Sequence, residues 1–224
     1  MALIAPSILA ADFARLAEAL GIIKAAGATM VHVDVMDGHF VPDLTVGQPV
    51  IRSLRKATDL VLDVHLLIER PERYAAQFVE EGADRVALHF EATKQLGRAL
   101  DSIRAQGAKA GVAVNVSTPI EALAEVLDEV DFLVILAAEP GIPEKAFLPR
   151  TLAKVQAAAR GREVRRGEYV IEVEGGVRFD NFEEILRAGA DILVTGSAIF
   201  SSENPKVRLE EMIRRAAAGR TVKV

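Results

Sequence analysis

The sequence predicts an α/β fold, a single-domain (β/α)8 TIM barrel over residues 1–224, and three observations carry that reading. Gly-Ala pairs follow helix-like stretches at Gly27-Ala28, Gly82-Ala83, Gly107-Ala108 and Gly189-Ala190. Their spacings are close to two, one and three units of about 27 residues, and eight such units nearly exhaust the chain. Strand-like and helix-like patterns also alternate eight times, which favours parallel strands with helices outside. An open doubly wound sheet would want Gly-x-Gly-x-x-Gly after its first strand, and Ser7-Ile8-Leu9-Ala10 supplies none.

The first strand-like run covers residues 4–10. Asp12 stands where it can cap the helix that follows, whose apolar positions Phe13, Leu16, Leu20 and Ile23 recur at three- and four-residue spacing. Gly27 then takes the position past the helix that needs φ > 0. The second and third strands are read at 30–37 and 60–68. Pro71 sits where a first helical turn tolerates proline, the periodic segment 74–81 continues that helix, and Gly82 closes it. Residues 85–91 and 109–115 form the fourth and fifth strands. Pro119 opens the next helix, and 132–138 is the sixth strand. The arginine-rich stretch 160–168 reads as a solvated connection before the seventh strand at 169–175. The eighth is read at 192–197.

Half of the 224 residues are hydrophobic and 26% are charged, a balance that excludes a disordered or fibrous chain. A net charge of −5 leaves no electrostatic footprint for nucleic acid or an anionic membrane. The absence of cysteine excludes disulfides, thiolate metal sites and thiol catalysis. The start Met-Ala-Leu-Ile-Ala-Pro lacks the basic residues of a signal peptide, and no apolar run approaches the ~18 residues of a membrane span. The expectation is a cytoplasmic protein with neither nucleic acid nor membrane as partner.

Period-two alternation identifies the chemistry-bearing positions. His32 and Asp34 share one face of the second strand, Asp63 and His65 one face of the third, and Glu172 and Glu174 one face of the seventh. Polar groups facing a barrel interior need partners, because an unpaired buried charge is very costly. Imidazoles and carboxylates converging from three strands, without a thiolate, suit one divalent ion: Zn, Fe, Mn or Co. His39 reads as a surface residue of its loop and His89 as a core histidine. Gly175-Gly176 and Gly196-Ser197 follow the seventh and eighth strands, where barrels commonly cradle a phosphate on backbone N–H groups.

Four blocks together resemble the ribulose-phosphate 3-epimerase family: Ala5-Pro6-Ser7-Ile8-Leu9, the long run from His32 to Pro42, Asp63-Val64-His65-Leu66, and Gly196-Ser197-Ala198-Ile199-Phe200. The resemblance implies a metal-dependent (β/α)8 epimerase that interconverts D-ribulose 5-phosphate and D-xylulose 5-phosphate, and an assembly of several copies of the chain. It implies His32, Asp34 and His65 as metal ligands, with Glu174 standing where the family has an aspartate as the fourth. Asp34 and Glu174 are then the two acid/base carboxylates, and Ser7 and His65 contact substrate. Gly175, Gly176, Gly196 and Ser197 lie on the phosphate side. The loop after the sixth strand, with Gly141, Ile142, Pro143 and Glu144, departs from the family's glycine-rich pattern and is expected to close over the phosphate. A sister epimerase for another ketose phosphate, such as allulose 6-phosphate, and a non-catalytic phosphate-binding barrel are the alternatives. A sugar-phosphate decarboxylase of similar fold is disfavoured, because Asp63-Val64-His65-Leu66-Leu67-Ile68 lacks the lysine of Asp-x-Lys-x-x-Asp.

Overall fold

The computed structural model describes residues 2–141, 146–165 and 167–219. Eight parallel strands run in sheet order β1-β8-β7-β6-β5-β4-β3-β2, and a parallel bridge from Ser7 to His32 joins the two ends into a barrel. The strands are β1 (Leu3–Pro6), β2 (Met30–Met36), β3 (Val61–Leu67), β4 (Arg85–His89), β5 (Lys109–Val114), β6 (Phe132–Leu136), β7 (Val170–Glu174) and β8 (Ile192–Thr195). Helices α1 (Leu16–Ala25), α2 (Gln48–Ala57), α3 (Ala75–Glu80) and α4 (Leu96–Arg104) follow the first four strands. Then come α5 (Thr151–Arg165), α6 (Phe182–Ala188), α7 (Ser197–Phe200) and α8 (Pro205–Gly219). Among the described residues no helix is long and apolar enough to cross a membrane.

The outward residues of each strand, such as Val31, Val33, Val64, Leu66, Leu133 and Ile171, are buried against the helices and form the main core. Burying a side chain of this size contributes about 1.5–3 kcal/mol. All four Gly-Ala glycines have left-handed backbone, with φ from 83° at Gly27 to 119° at Gly189. At Gly189 a Cβ would also fall 2.5 Å from Ala159 Cβ, so the turn from α6 into β8 admits only glycine.

Several expected boundaries are corrected. Every strand stops one to four residues before its expected end. Ser7 leaves β1 and its Oγ accepts from Leu9 N, capping a tight 3-10 turn at Ile8–Ala10. Asp12 caps a second 3-10 turn, Phe13–Arg15, rather than α1 itself, which leaves Phe13 44% exposed while Leu20 and Ile23 are buried. The helix expected after Pro119 is instead two 3-10 turns, Ile120–Leu123 and Leu127–Glu129. Their buried Ile120, Leu123 and Leu127 satisfy the same three- and four-residue spacing. Residues 160–165 are not a connection but the last turns of α5, where Arg162 reaches Asp191 and the Tyr169 carbonyl.

Candidate active site at the barrel mouth

Strand register sets the depth of each inward side chain. His32 lies opposite Asp63, and Asp34 opposite His65 one step nearer the mouth; Leu136 faces Glu174 across β6 and β7. The carboxyl-terminal ends of β2, β3 and β7 therefore bring His32, Asp34, His65 and Glu174 to one point. His32 Nε2 is 3.2 Å from Asp34 Oδ1 and 3.3 Å from Glu174 Oε2. His65 Nδ1 is 2.8 Å from Glu174 Oε2 and 3.7 Å from Asp34 Oδ1. Ser7 Oγ donates to Asp34 Oδ2 at 2.7 Å, and the Thr45 hydroxyl donates to the Asp34 backbone carbonyl, so the residue is held at both its side chain and its backbone.

The far nitrogens decide what the imidazoles offer to this point. His32 Nδ1 donates to Asp63 Oδ2 at 2.8 Å, which leaves the Nε2 lone pair of the neutral ring for the cluster. His65 Nε2 meets His89 Nε2 at 3.0 Å, and His89 Nδ1 donates to Glu91 Oε2 at 3.0 Å. Burial lowers His89 to about 4, so at neutral pH its Nε2 is an acceptor. His65 Nε2 is then the donor, and its Nδ1 lone pair also faces the cluster. Four donors at about 2.1 Å from a tetrahedral ion lie about 3.4 Å apart, and the separations above bracket that value. Residues, spacing and lone pairs fit a divalent ion.

Without an ion the same groups pair as acids and bases. Burial opposes charge on His32, but Asp34 and Glu174 outweigh it and hold the ring well above its usual range. For His65 burial is likewise outweighed, by Glu174 and Asp34, and the ring is raised to about 9. Asp34 is buried, yet the two imidazoles hold it well below the usual carboxylate range.

Above the cluster a cavity of about 460 Å³ opens to the surface, lined by Ser7, Asp34, Glu174, Gly141, Gly175, Gly176, Gly196 and Ser197 among others. Gly175 and Gly176 both have positive φ, 102° and 66°. A Cβ on Gly176 would lie 2.5 Å from Phe147 N, and Asn181 Nδ2 donates to the Gly176 carbonyl, pinning the loop. Met36, Leu67, Leu136, Val41 and Val116 form a small apolar cluster of their own, and Met36 and Leu136 also line the cavity.

The inward positions read from alternation thus meet, but not all at one level: Asp63 and Glu172 lie below the cluster and touch His32 from the other side. His89 is buried outside the four-donor group, and His39 is exposed. Ile142, Pro143 and Glu144 lie outside the described residues. The cavity residues without a sequence signal beyond position include the charged Arg178, just past the paired glycines, Asp43 and Glu139.

The sequence profile of the ribulose-phosphate 3 epimerase family matches residues 3–200. The ribulose-phosphate 3-epimerase of Mycobacterium tuberculosis (strain H37Rv) is 43% identical over 216 residues, covering 96% of this chain and 93% of that protein. The protein of the same name from Bacillus subtilis (strain 168) is 40% identical over 93% of this chain and 97% of its own length. That of Escherichia coli (strain K12) is 42% identical over 94% of both. Among solved structures, KGPDC from Streptococcus mutans superposes with a TM-score of 0.70 at 14% identity, covering 97% of this chain and 98% of that one. At that identity the likeness is one of fold.

Proposed function

This chain belongs to the ribulose-phosphate 3-epimerase family, and from that premise we propose that it inverts C3 of a ketose phosphate, converting D-ribulose 5-phosphate to D-xylulose 5-phosphate and back. The observation that carries the proposal is the convergence of two buried imidazoles on two carboxylates, Asp34 and Glu174, that line a cavity walled by paired glycines. His32, Asp34, His65 and Glu174 would hold the divalent ion. Bound there, it supplies Lewis-acid stabilisation of the negative charge that develops on the substrate oxygens.

The protein's own groups supply the rest. The C3 proton is acidic because the C2 ketone can take up the resulting charge as an enediolate. Asp34 and Glu174 both border the cavity; one removes the proton from one face and the other returns a proton to the opposite face. Ser7 fixes the rotation of the Asp34 carboxylate by donating to its Oδ2, leaving Oδ1 toward the cluster. A phosphate would rest on backbone N–H groups of the loops at Gly175-Gly176 and Gly196-Ser197, whose glycines stand where a Cβ would press on Ala138, Phe147 or Ala10.

Turnover in deuterated water tests the reading. The product should carry deuterium at C3, because the returning proton comes from an acid in exchange with solvent. A panel that includes allulose 6-phosphate ranks the ketose phosphates. Epimerised product with deuterium only at C1, or with none, would reject the two-carboxylate mechanism.

A further inference from the structure

The four-donor cluster uses only the upper side of His32. One layer down, Asp63 on β3, Glu172 on β7 and Arg85 at the start of β4 fill the barrel interior. Arg85 Nε donates to Asp63 Oδ1 at 2.7 Å, and its Nη2 donates to Glu172 Oε2 at 2.5 Å. Its guanidinium also lies over the Phe132 ring, 3.9 Å from the centroid. The remaining carboxylate oxygens point at one atom: Asp63 Oδ2 lies 2.8 Å and Glu172 Oε1 3.3 Å from His32 Nδ1. Glu172 Oε1 has no hydrogen-bond partner of good geometry among the described residues.

His32, Asp63 and Glu172 alone have the composition of a second cation site. The resident guanidinium takes that role, and its shape matters. A planar fork can hold one oxygen of each of two carboxylates from two strands at fixed angles, which a single ammonium cannot. With Arg85 in place the two carboxylates are locked, and so is the ring whose Nδ1 donates to Asp63 and faces Glu172.

The geometry points to Arg85 as a positioning residue: by bridging Asp63 and Glu172 it aims His32 Nε2 at Asp34 and Glu174. This rests on the reading of His32 as a metal ligand. Arg85 itself cannot reach substrate. It borders a separate cavity of about 590 Å³ at the amino-terminal end of the barrel, whose lining shares no residue with the cavity at the mouth. Its route to the cluster is through Asp63 and Glu172, which both face His32 Nδ1.

The test compares the unsubstituted protein with Arg85→Met and Arg85→Lys in three measurements. These are zinc affinity by chelator competition, the visible absorption of the cobalt-loaded protein, and the melting temperature without metal. Loss of a partner that orients a ligating histidine typically weakens metal binding about 10–100-fold. That loss is expected for Arg85→Met, together with an altered cobalt spectrum. Arg85→Lys, which keeps the charge, should show a smaller loss, and excess metal should recover most of the turnover in both with little change in substrate KM. Unchanged affinity and spectrum in both variants would overturn the inference. Should Arg85→Met fail to fold, wild-type affinity and spectrum in Arg85→Lys would do the same. Failure of the unsubstituted protein to bind zinc would instead overturn the metal reading itself, so the two failures are distinguishable.

Discussion

Glu174 ends β7 with Oε2 2.8 Å from His65 Nδ1 and 3.3 Å from His32 Nε2. Replacing it by aspartate draws the carboxylate back by the length of one C–C bond, about 1.5 Å. The strand cannot follow. Glu174 is paired in register with Leu136, and its carbonyl accepts from Ala137 N at 2.6 Å. Beyond it, a Cβ on Gly175 would fall 2.7 Å from Ala138 N, so the two chains are already in close contact. The contact to His65 therefore opens to about 4 Å, past hydrogen-bond reach. A misplacement of about 1 Å can cost about 10²-fold in rate, so Glu174→Asp should lower kcat by about that factor. Glu174→Gln keeps the length but removes the proton acceptor, and should lower kcat by about 10²–10⁴-fold. The assay is initial-rate epimerisation at saturating metal, with metal content measured on the same samples. Turnover of Glu174→Asp at or above the unsubstituted level would refute the reasoning, since the longer side chain would then not be fitted to its site. Near-normal turnover of Glu174→Gln would remove Glu174 from the chemistry.

Replacing His65 by Ala removes one of four donors and should release most bound metal; unchanged metal stoichiometry by elemental analysis would sink the ligand assignment. In the metal-free protein His65 is raised to about 9, above its unfolded value, so its contribution to stability is complete below about pH 6.5 and lost as pH rises through 9. Across that window the melting temperature of the metal-free protein should fall while zinc affinity rises, because the ligand must shed its proton; an affinity flat from pH 6.5 to 9 counts against it. Gly111→Ala would set a Cβ 2.4–2.6 Å from three ring atoms of buried Phe132. Overpacking of this kind costs about 1–3 kcal/mol, so Tm should drop by several degrees, and an unshifted Tm would show that the ring yields freely.

Alternation told which residues face inward but not how deep they lie. Asp63 and His65 share a face in the sequence, as do Glu172 and Glu174. Only the pairing of His32 with Asp63 and of Asp34 with His65 aligns the levels of neighbouring strands into a lower and an upper layer. The turn glycines were legible because a left-handed backbone demands a residue type, whereas strand ends were not. At Asp37 the chain leaves β2 when its carboxylate accepts from the backbone N–H groups of His39, Phe40 and Glu69, the last from a distant loop. Arg85 was invisible for a related reason. Beside Asp84 at the head of a strand it reads as an ordinary surface cation, and its partners lie 22 and 87 residues away in the chain.

The two layers are tied together by charge. The buried Asp34, Asp63 and Glu172 and the cavity-lining Glu174 set four carboxylates close together against the guanidinium of Arg85, and carboxylates removed from water are costly unless compensated. With both histidines neutral, the interior is strongly negative. Two protons relieve it, and they go to His32 and His65, the rings that the surrounding carboxylates raise. One divalent ion bound to the same nitrogens supplies the same charge. Burial and Asp63 push Glu172 up to about 7, so it takes up part of what remains. A proton pair and a divalent ion held by the proposed ligands would thus be electrostatic equivalents in this barrel. In the lower layer Arg85 offsets one of the two carboxylate charges and ties both groups in place, so the carboxylates beside His32 keep their positions whichever occupant the upper layer holds.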